Sequence, residues 1–459
     1  MHIFEIIMII LSYIIMIIFL NKNKINQRVL IVSFVFIFVI FSIHGLLNLE
    51  KWQLVPIYFF GVYAFILFYA KSPKKWIKVA LYILITLSSI FSLGLLYAFP
   101  IRDIPDPSGT YPIGTLKYTI EDEERLELYT DDPYDTRKFM ITIWYPAANT
   151  NLYTYTKWMN DEVIADELAK NMGLPSIMLS QASEVLSNSF GFIPMSSEED
   201  QYPVVIISHG WGGFMALHTD LAEELASRGY IVVGIDHTYG SVATSFIDET
   251  VYQNKEALPE RGEPQFLEAA HQLVYTYAGD ISKTLDFLEE ENASLTNSFF
   301  KGKLDLDHIG LIGHSTGGGA SVAVALDDPR ITALLGLDAW VEPIDTIDIN
   351  KGLQIPAIYL RSETWEEGPN NIHLYDLISR SNQSRLYQIE GTTHSDFTMA
   401  YMFSSLTGLI GITGSLDSNY LLLMQKDIMN SFFDEHLKGI LDPSIDLTTY
   451  DELNLIDIT

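Results

Sequence analysis

Four long apolar runs occupy the first hundred residues, more than a water-soluble core of that length can cover. They are Ile3–Leu20, Val29–Leu49, Leu54–Ala70 and Ile77–Phe99, with 18, 21, 17 and 23 residues. About 20 apolar residues in helical form cross the hydrocarbon of a bilayer. Only Glu5 is charged in the first three runs, and only Lys78 in the fourth. One such run could be a buried core helix. Four in succession predict an all-α transmembrane region of four helices over residues 1–99. Nothing basic precedes the first run and no small-residue cleavage site follows it, so a removable signal peptide is not expected.

The basic residues give the spans a direction. The connection Asn21–Arg28 holds Lys22, Lys24 and Arg28, and Lys71–Trp76 holds Lys71, Lys74 and Lys75. The short middle connection sets Glu50 against Lys51. Positively charged loops stay on the cytoplasmic side. The expected product is a multi-pass protein of the cell membrane with both termini, and everything after Pro100, outside.

Charge divides the chain at the same place. Residues 1–100 carry eight Lys or Arg against two Asp or Glu, a net of +6, which leaves −36 for the rest of a chain whose total is −30. So acidic a surface excludes nucleic acid as a partner and disfavours adhesion to anionic lipid. There is no cysteine, hence no disulfide and no thiolate nucleophile.

Beyond a proline-rich linker, Ile101–Pro112, strand-like and helix-like stretches alternate. Lys138–Pro146, Tyr202–Gly210, Ile231–His237, Ile331–Asp338, Ile355–Ser362 and Arg385–Glu390 read as strands. Leu217–Tyr230, Gln265–Glu291 and Asn371–Ser381 read as helices, and Tyr420–Lys438 as the final element, also a helix. Alternation of this kind predicts an α/β domain, a mostly parallel sheet flanked by helices. We expect the linker and first strands over 100–137 and a catalytic domain over 138–459. Its rhythm is interrupted by an insertion at about 149–201, read as a cap above the sheet.

The most informative short segment is His308–Leu326. Strand-forming Ile309–Ile312 runs into Gly-His-Ser-Thr-Gly-Gly and then into a helix-forming stretch. A serine held on a sharp strand-to-helix turn needs neighbours without bulk, and Gly313 and Gly317 supply that. Ser315 is the candidate nucleophile. A serine hydroxyl attacks only when a base takes its proton. Of the three histidines that follow, His373 and His436 fall in predicted helices, whereas His394 lies just past the last strand. His394 is the candidate base. Two acids end the intervening strands, Asp338 and Glu363, and spacing does not choose between them. Oxyanion donors are expected from the backbone N–H groups of Thr316 and of Trp211, the latter in the glycine-rich Ser208–Gly213. The uncharged stretch Phe397–Gly414 reads either as core, or as a wall of an acyl pocket or a surface that touches lipid.

These residues resemble the plasma-type platelet-activating-factor acetylhydrolases, serine esterases of the α/β-hydrolase fold. The resemblance is carried by Ser208–Phe214, Leu225–His237, Gly313–Gly319, Gly336–Trp340, His394–Phe397, Gly411–Ser415 and Phe432–Gly439, and it spans about Lys138 to Gly439. It implies Ser315 as nucleophile, Asp338 rather than Glu363 as the acid, and His394 as the base. It also implies no metal or other cofactor, and a substrate class of short or oxidised acyl esters of glycerophospholipids. The four-span region lies outside it, and Asn149–Gln201 and Ser241–Pro264 match it poorly. A broad carboxylesterase or polyester hydrolase, and a lipid-binding membrane protein without turnover, are the rival readings.

Overall fold

The computed structural model describes residues 3–47, 51–100, 102–148, 153–159, 162–294, 298–441 and 446–458. Residues 48–50, 101, 149–152 and 160–161, which belong to the second apolar run and the connection after it, the linker and the insertion as read from the sequence, lie outside them.

Four helices come first: α1 Ile3–Leu20, α2 Gln27–Leu47, α3 Val55–Tyr69 and α4 Lys75–Ala98. Each is long and apolar enough to cross a membrane. Their inward faces make a core of their own, with Met16, Phe19, Phe60 and Ile85 fully buried. The outward faces expose Val32, Phe59, Ile83 and Leu87, a distribution suited to lipid rather than water. The helices run up and down. At one end Lys22 Nζ donates to the Leu67 carbonyl at 2.6 Å and Asn21 Nδ2 to the Tyr82 hydroxyl at 2.5 Å, so the two basic loops lie together. At the other end buried Lys51 pairs with buried Glu5.

The remainder is built on an eleven-stranded sheet. In chain order its elements are β1 Ile113–Leu126, β2 Thr136–Pro146, β3 Tyr155–Lys157, α5 Glu162–Asn171, β4 Leu186–Gly191, β5 Tyr202–Ser208, α6 Thr219–Ser227 and β6 Ile231–Asp236. A two-stranded hairpin, β7 Ala243–Ser245 with β8 Thr250–Tyr252, stands apart. Then follow α7 Phe266–Ala293, β9 Leu304–His314, α8 Thr316–Asp327, β10 Ile331–Leu337, α9 Thr346–Ile349, β11 Pro356–Ser362, α10 Asn370–Arg380, β12 Gln383–Ile389, α11 Ser418–Lys438 and β13 Leu453–Ile456.

The sheet order is β13-β12-β11-β10-β9-β5-β6-β2-β1-β4-β3. From β6 to β12 the strands are parallel; β2 and β13 run against their neighbours. This is the α/β-hydrolase fold, preceded by the four apolar helices. The central strands have continuous apolar sequences because helices cover both faces: all seven residues of β5 are buried. One core, on the α7 and α8 face, includes Val204, Ile309, Leu311 and Tyr277. The other, under α6 and α11, includes Val205, Ile312, Leu335 and Phe433.

Three sequence expectations need revision. The helix read as Leu217–Tyr230 is shorter, because Met215–His218 forms a single tight turn and Gly229, at φ +90°, ends α6 early. The stretch read as an insertion does not simply sit above the sheet. Its β4 pairs with β1, and β3 with β4, extending the sheet by two strands, while only α5 and the turns after it reach the functional cavity. The chain also does not end on α11, since β13 returns to pair with β12.

Candidate active site

Strand register decides what meets at the carboxyl edge of the sheet. Ser208 pairs with Gly313, His314 with Leu337, and Ser362 with Ile389. The residues that follow β5, β9, β10, β11 and β12 therefore emerge side by side, where open α/β sheets place their ligands.

Ser315 sits between β9 and α8 at φ +54° and ψ −118°, a conformation that non-glycine residues adopt only when their surroundings enforce it. The surroundings do so. Ser315 N–H donates to the Leu337 carbonyl, and the Ser315 carbonyl accepts from Gly319 and Trp340 N–H, at 3.0, 3.0 and 2.9 Å. The glycines are needed for contact, not for flexibility. A Cβ at Gly317 would stand 2.2 Å from the Ser208 carbonyl oxygen, and one at Gly319 would stand 2.1 Å from that of Trp340. With Cβ absent, α8 packs directly on the loops after β5 and β10, its N-terminus beneath Ser315.

Asp338, the residue after β10, is also held at positive φ, +42°, and is 2 % exposed. Its carboxylate accepts from Ser362 N–H at 2.7 Å, from the Ser362 hydroxyl at 2.6 Å and from His394 Nδ1 at 2.9 Å. Three donors thus satisfy the oxygens of this buried carboxylate. With Nδ1 donating to it, the neutral His394 ring presents Nε2 as an acceptor. His394 lies flat on Trp365, ring centres 4.3 Å apart and planes 4° from parallel, and begins a short turn, His394–Phe397, capped reciprocally by Thr393 and Asp396. Glu363, the rival acid, does not touch the imidazole. Its carboxylate accepts from Gly391 N–H at 2.6 Å and so braces the loop that carries His394.

Ser315 and His394 line one cavity of about 350 Å³. The Ser315 hydroxyl has no hydrogen-bond partner among the described residues. In unliganded sites this contact commonly closes only when substrate arrives. Trp211 lines the same cavity, and its N–H, unlike those of Gly212 and Gly213, makes no hydrogen bond among the described residues. Thr316 is 1 % exposed and opens α8, where a first-turn N–H has no partner inside its helix. Beside polar His218, His314, Thr398 and Thr407, much of the remaining lining is apolar: Leu168 and Leu179 from the segment after β3, and Phe403, Leu406 and Ile410 from the uncharged stretch before α11. In that stretch Met402 and Phe403 are buried, and Phe403 also lines the cavity.

Beside the cavity lies a buried polar network. His209 Nδ1 donates to the Gly210 carbonyl at 2.7 Å, which leaves Nε2 to accept from the Ser241 hydroxyl at 2.8 Å. His237 bridges the Ser208 hydroxyl at 2.8 Å and Asp280 at 2.9 Å. Asp280 in turn takes two hydrogen bonds from Arg137. Burial lowers the pKa of His209, and that of His237 to about 3, so both rings are neutral at pH 7. The network fixes the loop Ser208–Gly213 against α7. Ser362, Trp365 and this network were not foreseen in the sequence. Ser362 was legible only as the residue ending β11; its partner depends on register.

Among the described residues no group of three or more His, Asp or Glu side chains could hold a metal ion.

Comparison with known proteins agrees with this architecture. The chain is 24 % identical to the platelet-activating factor acetylhydrolase of Canis lupus familiaris over 379 residues, 75 % of this chain and 80 % of that protein. It is 23 % identical to that of Bos taurus over 361 residues, 73 % of this chain and 77 % of the relative. Cutinase 2 of Thermobifida cellulosilytica matches at 22 % over 227 residues, 48 % of this chain and 71 % of that one. Among solved structures, a ferulic acid esterase from Streptomyces cinnamoneus superposes with a TM-score of 0.63 at 21 % identity, covering 78 % of this chain and all of that one. Residues 97–446 match the family described as platelet-activating factor acetylhydrolase, isoform II, and the chain belongs to that family.

Proposed function

We propose that the protein is a membrane-anchored serine esterase that hydrolyses carboxylic esters, with short or oxidised acyl chains of glycerophospholipids as its substrate class. The observation that carries this reading is the His394 Nδ1 hydrogen bond to buried Asp338 at 2.9 Å, in the wall of an apolar cavity that also holds strained Ser315.

In the reaction, His394 Nε2 takes the Ser315 proton while Oγ attacks the ester carbonyl. The tetrahedral oxyanion is stabilised by the N–H groups of Trp211 and Thr316, with the α8 N-terminus contributing positive potential. Collapse of the intermediate breaks the ester C–O bond, and the imidazolium protonates the departing alcohol. Water, deprotonated by His394, then attacks the acyl-enzyme and releases the acid. Asp338 holds the tautomer and stabilises the imidazolium. An extracytoplasmic catalytic domain is part of this reading, supported by the basic loops Lys22–Arg28 and Lys71–Lys75 at the end of the bundle away from it.

Fluorophosphonate labelling tests the nucleophile. The intact protein is expected to label at Ser315, and Ser315→Ala to lose both label and turnover of nitrophenyl acetate. Labelling that persists in Ser315→Ala refutes the assignment. Comparing an acetylated glycerophospholipid with simple nitrophenyl esters separates the lipid esterase from a broad carboxylesterase or polyester hydrolase.

A further inference from the structure

The apolar helices do more than tether the hydrolase domain: the end of α4 and the turn before α3 meet the wall of its cavity. Phe99, the residue after α4, lines the cavity together with Ser315. The Ala98 carbonyl accepts from the Ser404 hydroxyl at 2.6 Å and from Ser405 N–H at 3.0 Å. Gln53 Nε2 donates to the Phe99 carbonyl at 2.8 Å, and Trp52 Nε1 to Gln181 of the segment after α5 at 3.0 Å. The Arg102 guanidinium reaches the Tyr401 carbonyl and the Ser405 hydroxyl, both at 2.8 Å. The cavity wall is therefore held at a set height relative to the helix ends.

For helices that cross a bilayer, length puts that height at the membrane surface. With its 24 residues, α4 is about 36 Å long at 1.5 Å per residue, slightly more than the roughly 30 Å of bilayer hydrocarbon. Ala98 then stands at the interface, where Trp52 is a suitable anchor. Within a few residues of Ser404, the loop Gly408–Gly411 leaves Leu409 83 % and Ile410 62 % exposed. Ile177, between cavity-lining Leu174 and Leu179, is 55 % exposed. No charge occurs between Phe397 and Gly414, in a domain that is otherwise strongly acidic. An uncharged, apolar rim beside the ends of membrane helices is what a lipid leaflet would cover.

We infer that substrate reaches Ser315 sideways, from the leaflet touching the hydrolase end of α1–α4. A lipid ester resident in that bilayer slides its reactive acyl group past Phe99 and Ile410, with Leu409 and Ile177 immersed at the rim. This rests on the esterase reading of the same cavity and adds where the substrate resides when it is captured.

The full-length protein is reconstituted into neutral phosphatidylcholine vesicles. A glycerophospholipid with a long sn-1 chain and an sn-2 acetyl group is placed either in the same vesicles or in separate protein-free ones. Hydrolysis in the same bilayer is expected to be about tenfold faster or more, because confinement raises effective concentration. Leu409→Asp and Ile177→Asp, which lie outside the cavity lining, are each expected to slow same-bilayer hydrolysis by about fivefold, since each removes one buried apolar side chain from the interface. Hydrolysis of water-soluble nitrophenyl acetate should be unchanged, which also controls for folding. Equal rates from the two vesicle populations overturn the inference, as do variants that leave lipid hydrolysis intact or slow both substrates alike. If the unaltered protein fails on nitrophenyl acetate itself, it is the esterase reading that falls.

Discussion

Ser362 donates both its backbone N–H and its hydroxyl to the Asp338 carboxylate, at 2.7 and 2.6 Å. One residue at the end of β11 thereby sets the direction of an acid at the end of β10. Each hydrogen bond to a charged acceptor is worth about 1.5–3 kcal/mol. Ser362→Ala keeps the backbone bond and loses the hydroxyl bond. We expect kcat on nitrophenyl acetate to fall by roughly tenfold with KM little changed, because the imidazolium is less well stabilised in the transition state. An unaltered kcat would show that the hydroxyl has no part in holding Asp338.

The two carboxylates at the strand ends should separate cleanly. Asp338→Asn removes the charge that faces His394 and favours the wrong tautomer, a change that costs about 10⁴ in turnover in comparable sites. Glu363→Gln keeps an acceptor for Gly391 N–H, so its turnover should stay within about tenfold of the unaltered protein. Steady-state kinetics on the pair checks both statements. The reverse ranking would move the acid to Glu363.

Gly317→Ala sets helix propensity against contact. Alanine in a helix is favoured over glycine by about 1 kcal/mol. Here its Cβ would stand 2.2 Å from the Ser208 carbonyl oxygen, and overpacking of backbone against backbone costs about 1–3 kcal/mol or more. The clash should win, lowering the thermal midpoint of the detergent-solubilised protein and moving the loop that holds Trp211. A midpoint equal to or above that of the unaltered protein would contradict the packing described.

Stability should decline as the medium is acidified below neutrality. Burial holds His218 and His237 down to about 3, lowers His209 and puts His314 well below its usual range. In the unfolded chain these rings bind protons once pH drops below about 6.5. Burial acts oppositely on three carboxyls, raising Asp220 to about 6, Glu223 to about 7 and Asp396 above its usual range. These keep protons in the fold that the unfolded chain releases, so their contribution is largest at low pH and is lost as pH rises through their folded values, 6 and 7 for the first two. Four deeply buried histidines, joined by His436, which burial also lowers, outweigh three carboxyls, and the unfolded chain takes up the net protons. Each net proton is worth about 1.4 kcal/mol per pH unit. Thermal midpoints measured at about pH 7.5 and about pH 5 should be lower at the acid end; a rise toward pH 5 would mean that the buried histidines are not neutral.

The parts of the protein that were legible in its sequence are those set by neighbours along the chain. Hydrophobicity is a local property, so the runs from Ile3 to Phe99 declared four helices without reference to anything else. The turn at Ser315 was likewise readable, because strained backbone needs Gly313 and Gly317 close by. The position of His394, just past a strand of Arg385–Glu390, followed from the same local pattern.

What the tertiary structure alone decided depends on contacts between distant segments. Spacing left open whether Asp338 or Glu363 faces His394, and only the family resemblance favoured Asp338; the contact itself is a matter of strand register, since β10 and β11 end side by side and a small difference in backbone direction aims one acid at the imidazole and the other at Gly391. Trp365 beneath the ring and the division of the 149–201 stretch between sheet and cavity wall have the same origin. The contact of Ala98 with Ser404 spans 306 residues. Local sequence sets which elements form, because torsional preference and hydrophobic periodicity act over a few residues; which side chains meet is set by packing, which acts across the whole fold.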